Sequence, residues 1–295
     1  MKVLVAGGTG FLGRAITKAA LDAGHDVTVL SRHKSANVDP RAKVAIGDVV
    51  EPEGLSAQLA GFNAVVDAVQ FPNSPIENPK KGNTFERIDL GGTKNLVDAA
   101  KKADVPLFIG LSGVGAGEHA EFHWLRFKWQ EEQHIARSGV PFIIFRPSWI
   151  YGPGDVSLNR FLGFAKFLPF VPVIGNGKTR IAPLFIDDLA AHVVAALDRP
   201  DLRGRVFEIG GPDQLVMDSI IRTALQSAGK KRILIHNPKW FMKFIASIVQ
   251  HAPGRPLTPD AIDFITMDGL ADVESLRAAF QLPLTPLAEG TRTYL

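Results

Sequence analysis

The chain has 295 residues, 46% apolar and 21% charged, with 33 lysines and arginines against 30 acidic residues and no cysteine at all. A formal charge of +3 is too small to create the basic field that holds nucleic acid, so the expectation is that nucleic acid is not a partner. The missing cysteine removes disulfide scaffolds, thiolate zinc sites, iron–sulfur clusters and cysteine nucleophiles together, and it fits a cytoplasmic setting.

In chain order, Met1-Lys2 runs directly into Val3-Leu4-Val5-Ala6, too short an apolar run for a secretory signal, so the chain is expected to start inside its fold. Short β-branched runs at 2–6, 26–30, 43–46, 64–68, 107–111 and 142–145 alternate with segments of helical period at 13–23, 84–103 and 121–138. Gly24 and Gly139 stand where these helices should stop. That rhythm predicts an α/β fold, a doubly wound parallel Rossmann sheet with its ligand at the carboxyl ends of the strands. Beyond Tyr151 the pattern breaks into glycine- and proline-punctuated pieces, with a returning helix at 187–197 and a last strand at 206–209. The expected division is a dinucleotide-binding domain over 1–150 with returning elements near 181–211, and a small C-terminal substrate lobe over 151–180 and 212–295. The most apolar later stretches, 161–174 and 240–249, are interrupted by Lys166, Pro169 and Pro172 and by Lys243. Both fall short of the ~20 apolar residues of a membrane span.

Gly7-Gly8-Thr9-Gly10-Phe11-Leu12-Gly13 lies between the first strand and the first helix. Gly7 and Gly10 allow the backbone to turn and approach a pyrophosphate, Gly13 allows the helix to pack close to the strand, and the helix start offers amides to the anion. The spacing G-x-x-G-x-x-G resembles that of the short-chain dehydrogenase/reductase superfamily, and later segments continue the likeness. They are Gly47-Asp48-Val49, Ala64-Val65-Val66-Asp67-Ala68-Val69, Thr93-Lys94-Asn95-Leu96, Leu111-Ser112, Arg146-Pro147-Ser148 with Gly152-Pro153-Gly154-Asp155, and Phe185-Ile186-Asp187-Asp188-Leu189-Ala190. The chain is most similar to the atypical group that contains the NADPH-carrying accessory subunit of respiratory complex I. The resemblance implies cofactor contacts at Gly7, Thr9, Gly10, Phe11, Leu12, Gly13, Ser31, Arg32, Asp48, Val49, Ala68, Val69, Lys128 and Pro147.

The second strand ends Leu30-Ser31-Arg32-His33-Lys34, with none of the acidic residues that accept both ribose hydroxyls of NAD. Arg32 can instead fork onto a 2′-phosphate, so the expected cofactor is NADP (NADPH).

In the superfamily a tyrosine moves the substrate proton, a lysine four residues on holds the ribose, and a serine orients the carbonyl. The matching helix here reads Trp124-Leu125-Arg126-Phe127-Lys128, and the serine is Ser112. Indole donates a hydrogen bond but exchanges no proton near neutral pH, so the usual step cannot run at Trp124. Lys128 and Ser112 become the candidate catalytic residues, Lys128 as acid/base on condition that burial lowers its pKa. Tyr151 is expected to pack and Tyr294 to sit in a fraying tail. His119 and His123 with Glu118 and Glu121 lack a third ligand in sequence, so no metal is expected. Gly110-Leu111-Ser112-Gly113-Val114 lacks the second glycine of a nucleophile elbow.

The proline-rich segment 71–81 is expected to be a flap beside the cleft. The stripes Phe161, Phe164, Phe167, Leu168, Phe170 and Trp240, Phe241, Phe244, Ile245, Ile248, the second with Lys239 and Lys243 nearby, are expected to be core, an apolar substrate pocket or a partner or membrane surface being the other options. The reading is an NAD(P)H-binding atypical reductase of a small apolar carbonyl or conjugated substrate, whether it is active being left open. The alternatives are a non-catalytic NADPH-binding subunit or redox sensor, and a nucleotide-sugar epimerase or dehydratase-like enzyme. Peripheral membrane or protein-complex association is left open.

Overall fold

The computed structural model describes residues 1–33, 37–252 and 257–295, so Lys34 of the basic turn lies outside the described residues. The strands β1 (Lys2–Ala6), β2 (Asp26–Ser31), β3 (Lys43–Ile46), β4 (Ala64–Asp67), β5 (Phe108–Leu111) and β6 (Phe142–Pro147) join the strand Arg205–Ile209 in one seven-stranded sheet. From one edge the order is Arg205–Ile209, β6, β5, β4, β1, β2, β3, and every pairing is parallel. This is the doubly wound arrangement the alternation predicted. Val3, Leu4, Val5 and Ala6 are each 0% exposed, as expected of a central parallel strand covered on both faces, which must be apolar without alternation.

Helices α1 (Phe11–Asp22), α2 (Leu55–Leu59), α3 (Gly91–Lys102), α4 (His123–Arg137) and, further along the chain, α6 (Ile186–Leu197) flank the sheet, whereas α5 (Ser157–Phe167), α7 (Met217–Ser227), α8 (Lys239–Val249) and α9 (Pro259–Thr266) lie outside it. One face packs Val3, Val5, Ile109 and Phe145 against Ile16 of α1 and Leu189 and Val193 of α6. The other packs Leu4, Val65 and Phe108 against Leu96 and Val97 of α3 and Leu55 and Leu59 of α2. Gly24 follows α1 with φ +84, where its amide and that of His25 close on Leu21 and Ala20. The helix stops there because only glycine adopts that conformation cheaply.

The helix expected over 84–103 is in fact two elements. Thr84 is outside it as a cap, its hydroxyl accepting from the Arg87 amide, and Phe85–Leu90 forms a turn of π-helix before α3. Gly91 N–H reaches back five residues to the Glu86 carbonyl; such wide turns re-aim side chains, often at functional sites. Here Asp89 is turned into the interior, with only 1% exposed.

Outside the sheet, Ile150–Tyr151 pairs with Leu184–Phe185, Phe170–Ile174 with Ile233–Asn237, and Arg180–Ile181 with Leu215–Val216. A separate core around Tyr151, Leu158, Val171, Ile220 and Ile221 holds α5 and α7 to these pairs. Tyr294 packs against this core, so the tail expected to fray is anchored instead. No helix among the described residues is long and apolar enough to cross a membrane.

Candidate functional site

The strand order reverses between β1 and β4, and a cleft of about 690 Å³ opens there at the strands' carboxyl ends. That volume lies within the roughly 300–1,000 Å³ range of small-molecule sites. Gly7, Thr9 and Gly10 line it from the glycine loop, Ser31 and Arg32 from the end of β2, Asp48 and Val49 after β3, and Ala68 and Val69 after β4. The three motif glycines have different local reasons. Gly7 has φ +76, and a Cβ there would collide with the Ala68 carbonyl. A Cβ on Gly13 would collide with the Gly7 carbonyl, so these two lock the loop to β4 and to α1. Gly10 has an extended backbone (φ −78, ψ 176), and a Cβ there would meet only the Gly7 carbonyl, at 3.2 Å. Its side faces the cleft. No side chain caps α1 and no acidic residue occupies its first turn, which leaves the positive end of the helix for an anion.

Phe11, Leu12 and Gly13 belong to the first turn of α1, behind the cleft lining, and Pro147 ends β6 two strands away. Asp48 accepts from the Val50 amide at 3.1 Å, and Asn95 donates to the Val49 carbonyl at 2.9 Å, so this corner is tied to α3. Ser31 turns its hydroxyl to the His33 carbonyl at 2.8 Å. Arg32 is exposed and makes no hydrogen bond or ion pair among the described residues. The proline-rich flap supplies another wall through Phe71, Pro72 and Lys81, and Asn83 and Arg87, from the loop and π-turn that follow it, continue that wall. The cations Lys81 and Arg87 were not singled out in the sequence because their distance from the motif hides that they return to it.

Lys128 does not line this cleft. Its Nζ lies 2.9 Å from Glu131 and 3.7 Å from Asp89, donates to the Leu111 carbonyl at 3.4 Å, and its side chain is 16% exposed. Asp89 also accepts from the Phe71 amide at 3.2 Å, which places the cluster under the floor of the cleft. Asp67 ends β4 beside it, accepting from Thr93 at 2.7 Å and from the Val69 amide at 3.1 Å. Burial pushes Asp67 up, pushes Asp89 up to about 6 despite Lys128, and pushes Glu131 up to about 8 despite the same cation. For Lys128 burial pulls downward, but Glu131 and Asp89 outweigh it and hold the ammonium above its ordinary range. The lowered pKa that would make Lys128 a neutral base is therefore absent, because the carboxylates supplied by β4, the π-turn and α4 itself stabilise its charge. Glu131 was missed, although a carboxylate at i+3 on a helix is within reach of a lysine. Glu132, one residue on, faces elsewhere and forms a two-pronged pair with Arg146 at 2.8 and 2.6 Å.

The raised Glu131 pKa sets a pH dependence. A carboxyl whose folded pKa exceeds its unfolded value stabilises the fold fully below the unfolded pKa, and that contribution is lost as pH rises through the folded pKa. The melting temperature should accordingly fall as pH rises from about 4.5 to about 8, and Glu131→Gln should flatten the decline. Parallel slopes in parent and variant by calorimetry would contradict the assignment.

Trp124 is 3% exposed and stacks on Phe122 with centroids 4.6 Å apart, in a cluster with Phe71 of the flap, Phe85 of the π-turn and Phe264 of α9. Among the described residues its Nε1 is buried without a hydrogen-bond partner, as is the Ser112 hydroxyl at the end of β5. Two donors in this region thus lack an acceptor. Tyr151 is 0% exposed with burial raising its pKa, and it packs on Phe185 at 5.5 Å. His119 is in the loop before α4 and shares no helix face with His123. The structure instead brings His123 to Glu77 at 3.2 Å, with Asp260 of α9 completing a group whose ligand atoms lie within 4.8 Å of one another. That group was not visible in sequence, since its members lie on the flap, α4 and α9.

The stripe at 161–170 is core in part only: α5 buries Leu158, Leu162 and Ala165, while Phe164 and Phe167 face outward. In α8 only Ala246 is buried, so the expectation of core fails there.

Comparison with known proteins bears on this geometry. Residues 7–160 match the NAD(P)H-binding family. The chain is 33% identical over 253 residues to photosystem II assembly factor Ycf39 of Cyanophora paradoxa, covering 82% of this chain and 74% of that one. It is 30% identical over 221 residues to mitochondrial NADH dehydrogenase [ubiquinone] 1 alpha subcomplex subunit 9 of Arabidopsis thaliana, covering 71% of this chain and 53% of the subunit. Ceramide reductase of Caulobacter vibrioides is 27% identical over 239 residues, covering 80% and 73%. Among solved structures, a Bacillus cereus UDP-glucuronic acid 4-epimerase in complex with UDP-glucuronic acid and NAD superposes with a TM-score of 0.77 at 19% identity, covering 99% and 96%. At that identity the likeness is one of fold.

Proposed function

The chain belongs to the NAD(P)H-binding family, in its atypical short-chain dehydrogenase/reductase group, and from that premise we propose that it binds NADPH and reduces an apolar carbonyl or conjugated substrate. The observation that carries the cofactor choice is Arg32, exposed on the cleft wall, without a hydrogen-bond or ion-pair partner among the described residues, at the carboxyl end of β2, where no acidic side chain stands. The residues present fit a dinucleotide: Gly10 leaves room for a pyrophosphate before the uncapped start of α1, and Arg32, with Ser31 as helper, offers a planar pair of donors to a 2′-phosphate.

When bound, the dinucleotide supplies a hydride. The proton has to come from this chain or from an ordered water. Lys128, held as an ammonium under the cleft floor, could pass a proton through an ordered water to an oxygen that develops negative charge, but near neutral pH it cannot take one from an alcohol. Glu131, 2.9 Å away and with a pKa of about 8, would return that proton to Lys128. The arrangement thus favours reduction over oxidation. Ser112, whose hydroxyl at the end of β5 has no partner among the described residues, is the side chain left to orient the substrate oxygen. The likeness to a ceramide reductase supports an apolar substrate.

A second reading is a non-catalytic NADPH-binding subunit of a larger assembly. Trp124, fixed in aromatic packing at the family's tyrosine position, favours it, and a complex I accessory subunit among the relatives accords with it. NADPH oxidation against a panel of quinones, enones and aldehydes separates the two. An epimerase is less well supported, because that chemistry also relies on the tyrosine.

The cofactor assignment is tested by Arg32→Ala. A charge-assisted contact is worth about 1.5–3 kcal/mol, or roughly ten- to a hundredfold in affinity. NADPH should weaken by about that factor, NADH should be unchanged, and the difference should shrink in added salt. Equal losses for both cofactors would assign Arg32 to the fold.

A further inference from the structure

The outer surface of the C-terminal half is more apolar than packing requires. Helix α8 runs Lys-Trp-Phe-Met-Lys-Phe-Ile-Ala-Ser-Ile-Val, and its positions i, i+4 and i+8 are Trp240, Phe244 and Ile248, exposed by 73, 60 and 58%. Residues at that spacing share one face, so the apolar row points away from the protein. Phe241 is 40% exposed beside Trp240, their rings 5.8 Å apart. The strand Ile233–Asn237, which leads into α8 through Pro238, exposes Ile233 and Ile235, and its start is fastened to the end of α5, where Phe167 is 88% exposed. The fastening is a hydrogen bond from Arg232 to the Ala165 carbonyl at 3.0 Å.

Charge follows the same segments. Residues 156–171 and 228–250 carry seven lysines and arginines and no acidic residue, whereas the whole chain is only +3 and its remainder therefore −4. Asp263 of α9 pairs with both Lys239 and Lys243 at 2.9 Å, which offsets one of these charges. Arg160, Lys166 and Lys231 are exposed, and none of them has an acidic partner among the described residues. An aromatic row flanked by basic side chains, on a helix lying flat on the molecule, is complementary to a surface with an apolar interior and anionic headgroups.

We propose that the outward face of α8 docks this protein on an anionic lipid bilayer, with Trp240, Phe244 and Ile248 entering the headgroup boundary and the basic residues of α5 and 230–243 meeting the headgroups. A second cleft, of about 360 Å³, lies between the loop after β5 and the start of α8, where Lys239 lines it with Phe122, Leu125 and Met267. Docking would bring its mouth to the lipid surface; this last point rests on the proposed reductase function, whereas the docking does not.

The test is flotation of the full chain with vesicles of pure phosphatidylcholine and of phosphatidylcholine with phosphatidylglycerol. Binding should be strong only to the second kind and should weaken in high salt. The variant Trp240→Ser/Phe244→Ser/Ile248→Ser should lose at least about a hundredfold in partitioning, since burying one large apolar side chain is worth roughly tenfold or more. The melting temperature of the variant, expected to be unchanged, shows that it is folded. Lys166→Gln/Lys231→Gln should lose binding to the anionic vesicles selectively. Absence of vesicle binding by the parent, or a triple variant that floats as well as the parent, would overturn the proposal. So would a concentration-dependent dimer abolished by the triple substitution in lipid-free solution, which would give the face to a second copy of the chain. None of these outcomes depends on a substrate, so the docking can fail while the reductase reading stands.

Discussion

Lys128→Met should cost about 3–5 kcal/mol of folding stability, the range found when one partner of a buried ion cluster is removed. Methionine keeps the length and the apolar stem of lysine, so the loss comes from charge and not from a cavity. Asp67, Asp89 and Glu131 are 5, 1 and 3% exposed, and Lys128 is the cation they share. Without it their ionised forms have no counter-charge, and they must take up protons or draw in water. The penalty should shrink as pH is lowered, because protonated carboxyls no longer need the cation. Adding Glu131→Gln to Lys128→Met should recover part of the loss. A denaturant midpoint unchanged in Lys128→Met would contradict the buried cluster. Stability is therefore to be measured before any loss of reductase activity in this variant is assigned to chemistry.

Gly10→Val should abolish measurable dinucleotide binding while leaving the fold intact. The backbone at Gly10 is extended and open to any residue, and an added Cβ meets only one atom, the Gly7 carbonyl at 3.2 Å. The isopropyl group would then occupy the space in front of the α1 amides. If two charge-assisted hydrogen bonds to a pyrophosphate are lost, the affinity should fall by at least about a hundredfold. Gly13→Ala makes an instructive companion, because its Cβ would strike the Gly7 backbone; there the loss should show in melting temperature as well as in binding. A folded Gly10→Val protein that binds NADPH like the parent would remove the glycine loop from the site.

The parts of this molecule legible in its sequence are those fixed by local pattern. The run Val3-Leu4-Val5-Ala6 followed by the glycine loop announces a buried parallel strand entering a helix, and every strand expected in the first half is present within two residues of its expected ends. Pairings across long separations were not legible. Lys128 meets Asp89, which lies in the π-turn before α3, across a long separation in the chain, and nothing in Phe85–Leu90 distinguishes that turn from ordinary helix. Glu77, His123 and Asp260 meet although they are distant in the chain. The α8 stripe shows a different limit. Periodicity says that Trp240, Phe244 and Ile248 share a face, but it carries no sign for whether the face turns in or out. The core expectation followed the general rule that most apolar stripes are buried, and the exposed row contradicts it.

The central claim is that the cleft between β1 and β4 holds NADPH through the glycine loop and Arg32. Calorimetric titration of the parent protein with NADPH and with NADH, at low and at high salt, tests it most directly. The account predicts that NADPH binds about ten- to a hundredfold more tightly at low salt, with the gap narrowing as salt is added. NADH binding as tightly as NADPH or more so would contradict it.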